Sequence, residues 1–363
     1  LGGVSYKSPL GSGLAATDGG PTTNGEPVSV LKPLSGAEDQ LESNLRTFFT
    51  QEYHEFEILF AVRHAADPAL AVVEKLRAAH PEVPVQLIIT GEPPYPNAKV
   101  FSLDRMKAAA RYELLLMSDS DIRATPEMLS TIAAEFSDTR VGLATCPYRA
   151  VPGPGIWSRL EAIGMNTQFL GGVLVARMLE GMKFALGPTI AARKSVLDKM
   201  GGFDRLKDYL AEDFVMGKFA AELGYGVLLS SYVIEHHIGG ASFAGSLAHR
   251  LRWARSTRRS RPAGYVGELF TMPLPLALLL WAWSPALWPL AALSLLLRAG
   301  SAWACAGWVL RDRLTARSWW LLPVQDVLAL LLWIAGFFGN HIAWRGRKYR
   351  LHPDGRFEPV SPA

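Results

Sequence analysis

Between Leu269 and Leu310 the chain carries one formal charge, Arg298, in 42 residues. Such a stretch cannot be the wetted surface of a soluble domain. A bilayer span takes about 20 apolar residues, so this stretch has room for two. Pro273, Pro275, Pro285 and Pro289 break its first half. A second apolar stretch, Trp319–Trp344, holds Asp326 as its only Asp, Glu, Lys or Arg and has room for one more span. The rest of the composition divides at the same place. From Arg250 onward there are 15 Lys and Arg against 5 Asp and Glu, a net +10, which leaves −6 for residues 1–249. Ten of the eleven tryptophans follow residue 250, Trp157 being the exception. Apolar runs edged by Trp and Arg are the signature of a membrane and its interfaces. The acidic part has the wrong sign for a nucleic-acid backbone, so no nucleic-acid partner is expected. With two cysteines, a disulfide framework or a four-cysteine zinc site is excluded.

Five divisions follow. Residues 1–27, rich in Gly, Ser, Thr and Pro, read as a flexible lead-in. No secretory signal is read there, and the first residue, Leu1, leaves room for an upstream segment. Residues 28–249 read as a soluble domain, 250–268 as a basic interfacial segment, 269–344 as membrane helices and 345–363 as a basic tail. Arg-rich segments at Arg250–Arg261, Arg311–Arg317 and Arg345–Arg350 all belong on the cytoplasmic side by the positive-inside bias. Two spans followed by one cannot satisfy all three, so either one stretch is interfacial or re-entrant, or the last loop violates the bias. The expectation is a multi-pass membrane protein whose soluble domain faces the cytoplasm.

Within the soluble part, short apolar runs alternate with helical stretches. Strands are predicted at Val28–Leu31, Glu57–Val62, Val85–Ile89, Glu113–Met117, Val141–Thr145 and Gly226–Val233. Helices are predicted at about Ala37–Gln51, Pro68–Ala79, Lys99–Ala110 and Pro126–Glu135, with Asp67 and Thr125 as N-caps before proline. Near-continuous apolar strands joined by helices specify an α/β fold with a mostly parallel, Rossmann-like sheet. Such sheets bind ligands beyond the carboxyl ends of their strands.

The chemistry is expected there. Leu114–Met117 runs straight into Ser118-Asp119-Ser120-Asp121. Two carboxylates on a loop at a strand's carboxyl end either cap neighbouring elements or hold Mg²⁺ or Mn²⁺ against a diphosphate. Asp67 is a helix cap or a nucleotide contact. Glu212-Asp213 opens a helix, where acidic residues are dipole partners or, facing the cavity, a general base. Lys99 is an exposed lysine or a phosphate contact. Of Glu235-His236-His237, at most one histidine can face a site, because strand neighbours point to opposite faces. Arg252 offers bidentate phosphate binding and Trp253 a flat apolar face, while Arg255–Arg261 reads as a solvated basic flank.

Taken in order, Lys32-Pro33-Leu34, Asp67, Asp119-Ser120-Asp121, Glu212-Asp213 and the His249-x-x-Arg252-Trp253 run resemble the family 21 glycosyltransferases, which include ceramide glucosyltransferases and bacterial hopanoid biosynthesis-associated glycosyltransferases. The resemblance spans about Pro27 to Arg350. It implies a GT-A-like domain ahead of the C-terminal membrane helices, an inverting transfer of a hexose or N-acetylhexosamine from a UDP-sugar to a lipid hydroxyl, and a divalent cofactor, Mg²⁺ or Mn²⁺. It also implies roles: Pro33, Leu34, Asp67, Lys99 and Asp119 for the donor, Asp119 and Asp121 for the metal, and Asp213 as base. Arg252 would assist catalysis at the diphosphate, with His249 and Trp253 toward the acceptor and Gly187 and Thr189 near the donor sugar. His249 stands where that family has Gln or Arg, Asn97-Ala98-Lys99 where it has Asn-Pro-Lys, and residues 1–27 lack its N-terminal anchor. The readings set beside it are a nucleotidyl- or phosphotransferase on a similar sheet and a non-catalytic lipid-binding membrane module.

Overall fold

The computed structural model describes residues 25–360, apart from Asp39, Ala241, Arg345 and Gly346. Most of the expected lead-in therefore lies outside the described residues. A seven-stranded sheet forms the centre. In chain order its strands are β1 (Val28–Pro33), β2 (Phe56–Val62), β3 (Val85–Ile89), β4 (Leu114–Ser118), β6 (Val141–Thr145), β8 (Thr189–Arg193) and β9 (Gly226–Leu229). Their spatial order is β3-β2-β1-β4-β8-β6-β9. All neighbours run parallel except β8, which is antiparallel to both β4 and β6. The α/β, mostly parallel architecture is as the sequence predicts. β8 escaped the reading because Thr189-Ile-Ala-Ala-Arg193 has little apolar bulk, yet its first four residues are buried.

The two faces of the sheet follow the period of two. Val30, Ile58, Phe60 and Leu116 point into one core cluster, while Leu31, Leu59, Leu115 and Met117 point into the other. The first face is covered by α1 (Leu41–Phe49), α2 (Ala69–Ala79) and α4 (Met128–Glu135). The second is covered by α3 (Ala98–Ala109), α7 (Lys194–Lys199) and α8 (Glu212–Glu222). A three-stranded sheet, β5 (Ile122–Arg123), β10 (Ile234–Ile238) and β7 (Tyr148–Pro152), sits at the carboxyl end of β4. Between β7 and β8 runs a broken helix, α5 (Ile156–Gly164) and α6 (Leu170–Glu180), joined by a π-helical turn at Met165–Phe169.

Local predictions fail where side chains take over backbone bonding. The strand predicted over Gly226–Val233 stops at Leu229, because Glu135 draws the chain into a turn. Its Oε1 accepts from Ser231 N at 2.7 Å and from Ser230 Oγ at 3.0 Å. The Thr125 hydroxyl meets Tyr232 at 2.8 Å and does not cap α4, which begins at Met128. The helix predicted from Ala37 begins at Leu41, after Gln40 in the left-handed region.

After β10 the chain forms α9 (Phe243–Ser260), α10 (Pro262–Gly267), α11 (Pro273–Trp283), α12 (Trp288–Ala302), α13 (Arg313–Arg317) and α14 (Leu322–Gly336). Among the described residues, two helical segments, Pro285–Val309 and Trp319–Gly336, are long and apolar enough to cross a bilayer, and α10 with α11 make a third only if taken together across a 58° bend. Such a bend is compatible with a broken span as much as with a re-entrant piece. Trp281, Trp283, Trp288, Leu296 and Leu331 lie exposed along these helices, as lipid-facing side chains do. The domain lines drawn from composition need correcting at two places. α9 runs unbroken through the 249/250 boundary. The last stretch stops being helical at Gly336, and β11 (His341–Trp344), β12 (Arg347–Leu351) and β13 (Phe357–Pro359) form a small antiparallel sheet where a tail was expected. Ile342, Tyr349, Leu351 and Phe357 pack with Leu210, which anchors that sheet beside the start of α8.

Candidate active site

A cavity of about 880 Å³ opens beyond the carboxyl ends of β1 and β4 and continues to the apolar helices. At its sheet end, Pro33 and Leu34 line one wall together with Thr90 and Gly91. Asp119 and Asp121 stand on the floor. Asp119 follows β4 directly, its N–H donating to Pro188 O at 3.0 Å. Its carbonyl accepts from the buried Lys32 Nζ at 2.5 Å. Asp121 is held by β10: its carbonyl accepts from His237 N, and its Oδ2 lies 3.0 Å from His236 Nε2. His236 lines the cavity and His237 turns away to Glu235, the division that strand alternation requires.

Lys99 and Glu212 complete the cluster. Asn97 caps α3 through Oδ1, accepting from Val100 N at 3.1 Å, and its amide donates to Glu212 Oε2 at 3.3 Å. That cap aims Lys99 inward, 2.7 Å from Asp119 Oδ1 and 3.4 Å from Glu212 Oε1. Lys99 is thus not the exposed lysine of the plain reading. Asp213, in the first turn of α8, faces Gly187: a methyl on Gly187 would sit 2.8 Å from Asp213 Oδ2. Gly217 fixes the height of that helix, since any Cβ there would strike the backbone of Phe184 and Ala185 at 2.4 Å.

The electrostatics follow from crowding. Burial, then the neighbouring Glu212 charge, pushes the Asp213 carboxyl up to about 7. Burial also raises Asp119, against the opposing charge of Lys99. Burial would raise Asp121 too, but the charge and hydrogen bond of His236 and the charge of Lys32 outweigh it and hold it at about 2. Lys32 is lowered to about 7 by burial, against the pull of Asp119 and Asp121. Four carboxyl groups face two lysines and one imidazole, so the cluster carries surplus acceptor capacity.

Among the described residues, no group of three or more His, Cys, Asp or Glu side chains is arranged to hold a metal ion unaided. A two-carboxylate site completed by phosphate oxygens and water is nevertheless the usual arrangement for Mg²⁺. Asp121 Oδ1 fits it, being buried with no hydrogen-bond partner among the described residues.

The far wall comes from α9. His249, Arg250, Arg252 and Trp253 all line the cavity. His249 Nδ1 lies 2.6 Å from Glu161 Oε1, and Trp253 packs on His249 and Phe169 at ring separations of 5.2 and 6.2 Å. Arg250 Nη1 is buried with no hydrogen-bond partner among the described residues.

Three expectations are corrected here. Asp67 does not line the cavity. Its carboxylate accepts from Gly36 N at 3.0 and 3.1 Å and from Ala69 N at 2.9 Å, so it ties the Leu34 loop to the start of α2. Thr189 is buried against Ser118 Oγ at 3.1 Å, leaving Gly187 and Pro188 on the surface of the cavity. The Arg255–Arg261 flank is not simply solvated. Arg255 and Arg258 donate to the carbonyls of Phe337, Phe338, Gly339 and His341, pinning the turn that leads from α14 into β11. Glu161, Arg250 and Gln325 also line the cavity. No motif marks Glu161 or Gln325, and in the sequence Arg250 is one arginine of a basic segment.

The profile of glycosyl transferase family 21 matches residues 7–357. The chain belongs to glycosyl transferase family 21. Ceramide glucosyltransferase 1 of Caenorhabditis elegans is 33% identical over 207 residues, covering 56% of this chain and 44% of that protein. Ceramide glucosyltransferase 3 of the same organism is 28% identical over 229 residues, covering 63% and 50%. The chain thus spans about half the length of these curated relatives. A mannosyltransferase of Pyrobaculum calidifontis, solved in complex with GDP-Man and Mn²⁺, shares the fold of this family 21 member, with a TM-score of 0.54 and 18% identity across 88% of each chain.

Proposed function

We propose that this family 21 member moves a hexose or N-acetylhexosamine from a UDP-sugar to the hydroxyl of a lipid, ceramide or a hopanoid, with inversion at the anomeric carbon. The observation that carries the reading is a single cavity with a carboxylate cluster at the sheet end and membrane-type helices at the other. A water-soluble donor and a membrane-borne acceptor both have a place in it.

The donor reading puts the uridine against Pro33 and Leu34, on the loop that Asp67 positions. The diphosphate lies toward Asp119 and Asp121, with Lys99, Arg250 and Arg252 as its cationic contacts. A divalent ion, Mg²⁺ or Mn²⁺, held by Asp119 and Asp121 would offset the charge that develops on the departing diphosphate. Asp213 is the base: as the lipid oxygen bonds to the anomeric carbon, its proton passes to the Asp213 carboxylate, and the bond to the diphosphate breaks to release UDP. One displacement on the face opposite the leaving group turns an α-linked donor into a β-glycoside. A carboxyl titrating near 7 is well matched to taking a proton at neutral pH. Trp253 offers the acceptor an apolar face, and His249, fixed by Glu161, lies beside it. The Arg clusters support an orientation with the sheet domain on the cytoplasmic side of a multi-pass chain.

Purified protein incubated with UDP-glucose, UDP-N-acetylglucosamine or UDP-galactose, Mg²⁺ or Mn²⁺, and ceramide or a hopanoid polyol tests this, read by mass spectrometry of the lipid. A glycosylated lipid plus an equal amount of UDP is expected for at least one pair. Pyrophosphate release, or no turnover with any pair, contradicts the reading.

A further inference from the structure

Gln325 sits in the seventh position of the apolar segment Trp319–Gly336, faces the cavity and is 1% exposed. Its Oε1 is buried and accepts no hydrogen bond from any described residue. A bare amide carbonyl at membrane depth is costly. The next residue shows that the same helix can satisfy a polar side chain fully, because Asp326 is paired twice to Arg298. The cavity wall around Gln325 is tight, and it opens farther along. Gly164 lets the amide lie against α5, where a methyl group would come 2.4 Å from Nε2. Farther along the cavity, Gly172 on α6 and Gly267 at the end of α10 would each carry a Cβ into empty space. Beside them Leu179 lines the cavity while remaining 72% exposed, and Phe270 is 83% exposed.

We infer that Gln325 is the headgroup contact of a lipid site. Its Oε1 accepts a hydrogen bond from an N–H or O–H of a lipid other than the reacting hydroxyl, and the hydrocarbon chain leaves between α6 and α10, past Gly172 and Gly267, into the bilayer. The ligand class is a lipid with a hydrogen-bond donor close to its reactive hydroxyl, such as an amide or a second hydroxyl. This rests on the acceptor end of the glycosyl-transfer reading. It adds a residue and a route that no motif marks.

The test is a matrix of two proteins and three lipids in mixed micelles: wild type and Gln325→Leu, each with ceramide, N-methyl ceramide and 3-deoxyceramide. In the wild type, removing the matching donor should raise the lipid KM about tenfold, as for the loss of one buried hydrogen bond. Gln325→Leu should raise the ceramide KM by a similar factor and no longer distinguish that analogue from ceramide. The UDP Kd should stay where it is. Removing an unpaired buried carbonyl favours folding, so the variant is expected to remain intact. A merely structural role for Gln325 would leave the discrimination between lipids unchanged, and that result overturns the inference. Indifference of the wild type to both analogues overturns it as well. Gly172→Leu checks the route: it should hinder long-chain ceramide more than a two-carbon acyl analogue, and equal effects on both contradict the path. If the wild type glycosylates no ceramide although UDP binds, ceramide falls as the acceptor and this inference with it, while turnover of a hopanoid polyol would keep the glycosyl-transfer reading.

Discussion

Two of the buried charge clusters among the described residues are built in opposite ways. At the edge of the sheet, Asp119, Asp121, Glu212 and Asp213 outnumber Lys32, Lys99 and His236, and Asp121 Oδ1 has no partner among the described residues. Between the apolar helices, Arg298 Nε and Nη2 meet the two oxygens of Asp326 at 2.7 and 2.9 Å, and Nη2 also donates to Thr167 Oγ1 at 2.9 Å. The first cluster is open, with perturbed acids and acceptor capacity to spare. The second is closed, and every charged atom just named is spoken for. Open clusters are suited to exchanging protons and binding ligands, whereas closed ones hold elements together. The closed pair ties α12 and α14 to the π-helical turn at Met165–Phe169, whose Met165, Gln168 and Phe169 line the cavity.

The contrast can be broken by experiment, and the largest effect belongs to the open cluster. Asp213→Asn should lower kcat by roughly 10²–10⁴-fold, as expected for loss of a general base, with UDP binding retained. Near-normal turnover would remove Asp213 from the mechanism. Breaking the closed pair should act on folding instead. Arg298→Ala strands Asp326 and should cost about 3–5 kcal/mol in a detergent unfolding experiment, while Arg298→Met with Asp326→Leu should recover most of it. A double variant as unstable as the single one would show that the charges matter for more than mutual compensation.

Smaller effects sharpen the picture of the open cluster. His236→Leu takes away the group that holds the Asp121 carboxylate and should raise the Mn²⁺ concentration for half-maximal rate by about 10–100-fold, the usual cost of losing an orienting partner. An unchanged Mn²⁺ requirement would separate His236 from the metal site. The pH profile is the mildest test. A base acts when deprotonated, and Asp213 is raised to about 7, so kcat should fall as pH drops through 7 and level off above it. A profile flat from pH 5 to 8 would contradict that assignment.

The sequence made one side of this comparison readable and hid most of the other. Asp119 and Asp121 announced themselves because an apolar strand ended in them, and the structure keeps that strand as β4. Arg298 and Asp326 were visible as the lone charges of two apolar stretches, but their pairing depends on how α12 and α14 pack, which no local pattern encodes. Glu161 looks like an ordinary helix residue until α9 folds over it and supplies His249 at 2.6 Å and Ser246 at 2.8 Å. Asp67 kept the plainer of its two readings: it caps the start of α2 through Ala69 N and also holds Gly36 N, whereas the nucleotide contact implied by the family resemblance would have needed a free carboxylate. The composition boundary near residue 250 marks a change in chemistry within one continuous helix. α9 carries Ser246 and His249 on one side of it and Arg252 and Trp253 on the other. The change in composition falls within the wall of the cavity.

The central claim is that the open cluster holds the donor through a divalent ion while the closed one only holds helices. UDP titrations with and without Mn²⁺, run on Asp121→Asn and Asp326→Asn side by side and well below each protein's melting temperature, test it most directly. The account predicts that Asp121→Asn loses Mn²⁺-dependent UDP binding and that Asp326→Asn keeps it. Equal loss in both variants, or Mn²⁺-dependent binding that survives in Asp121→Asn, would contradict it.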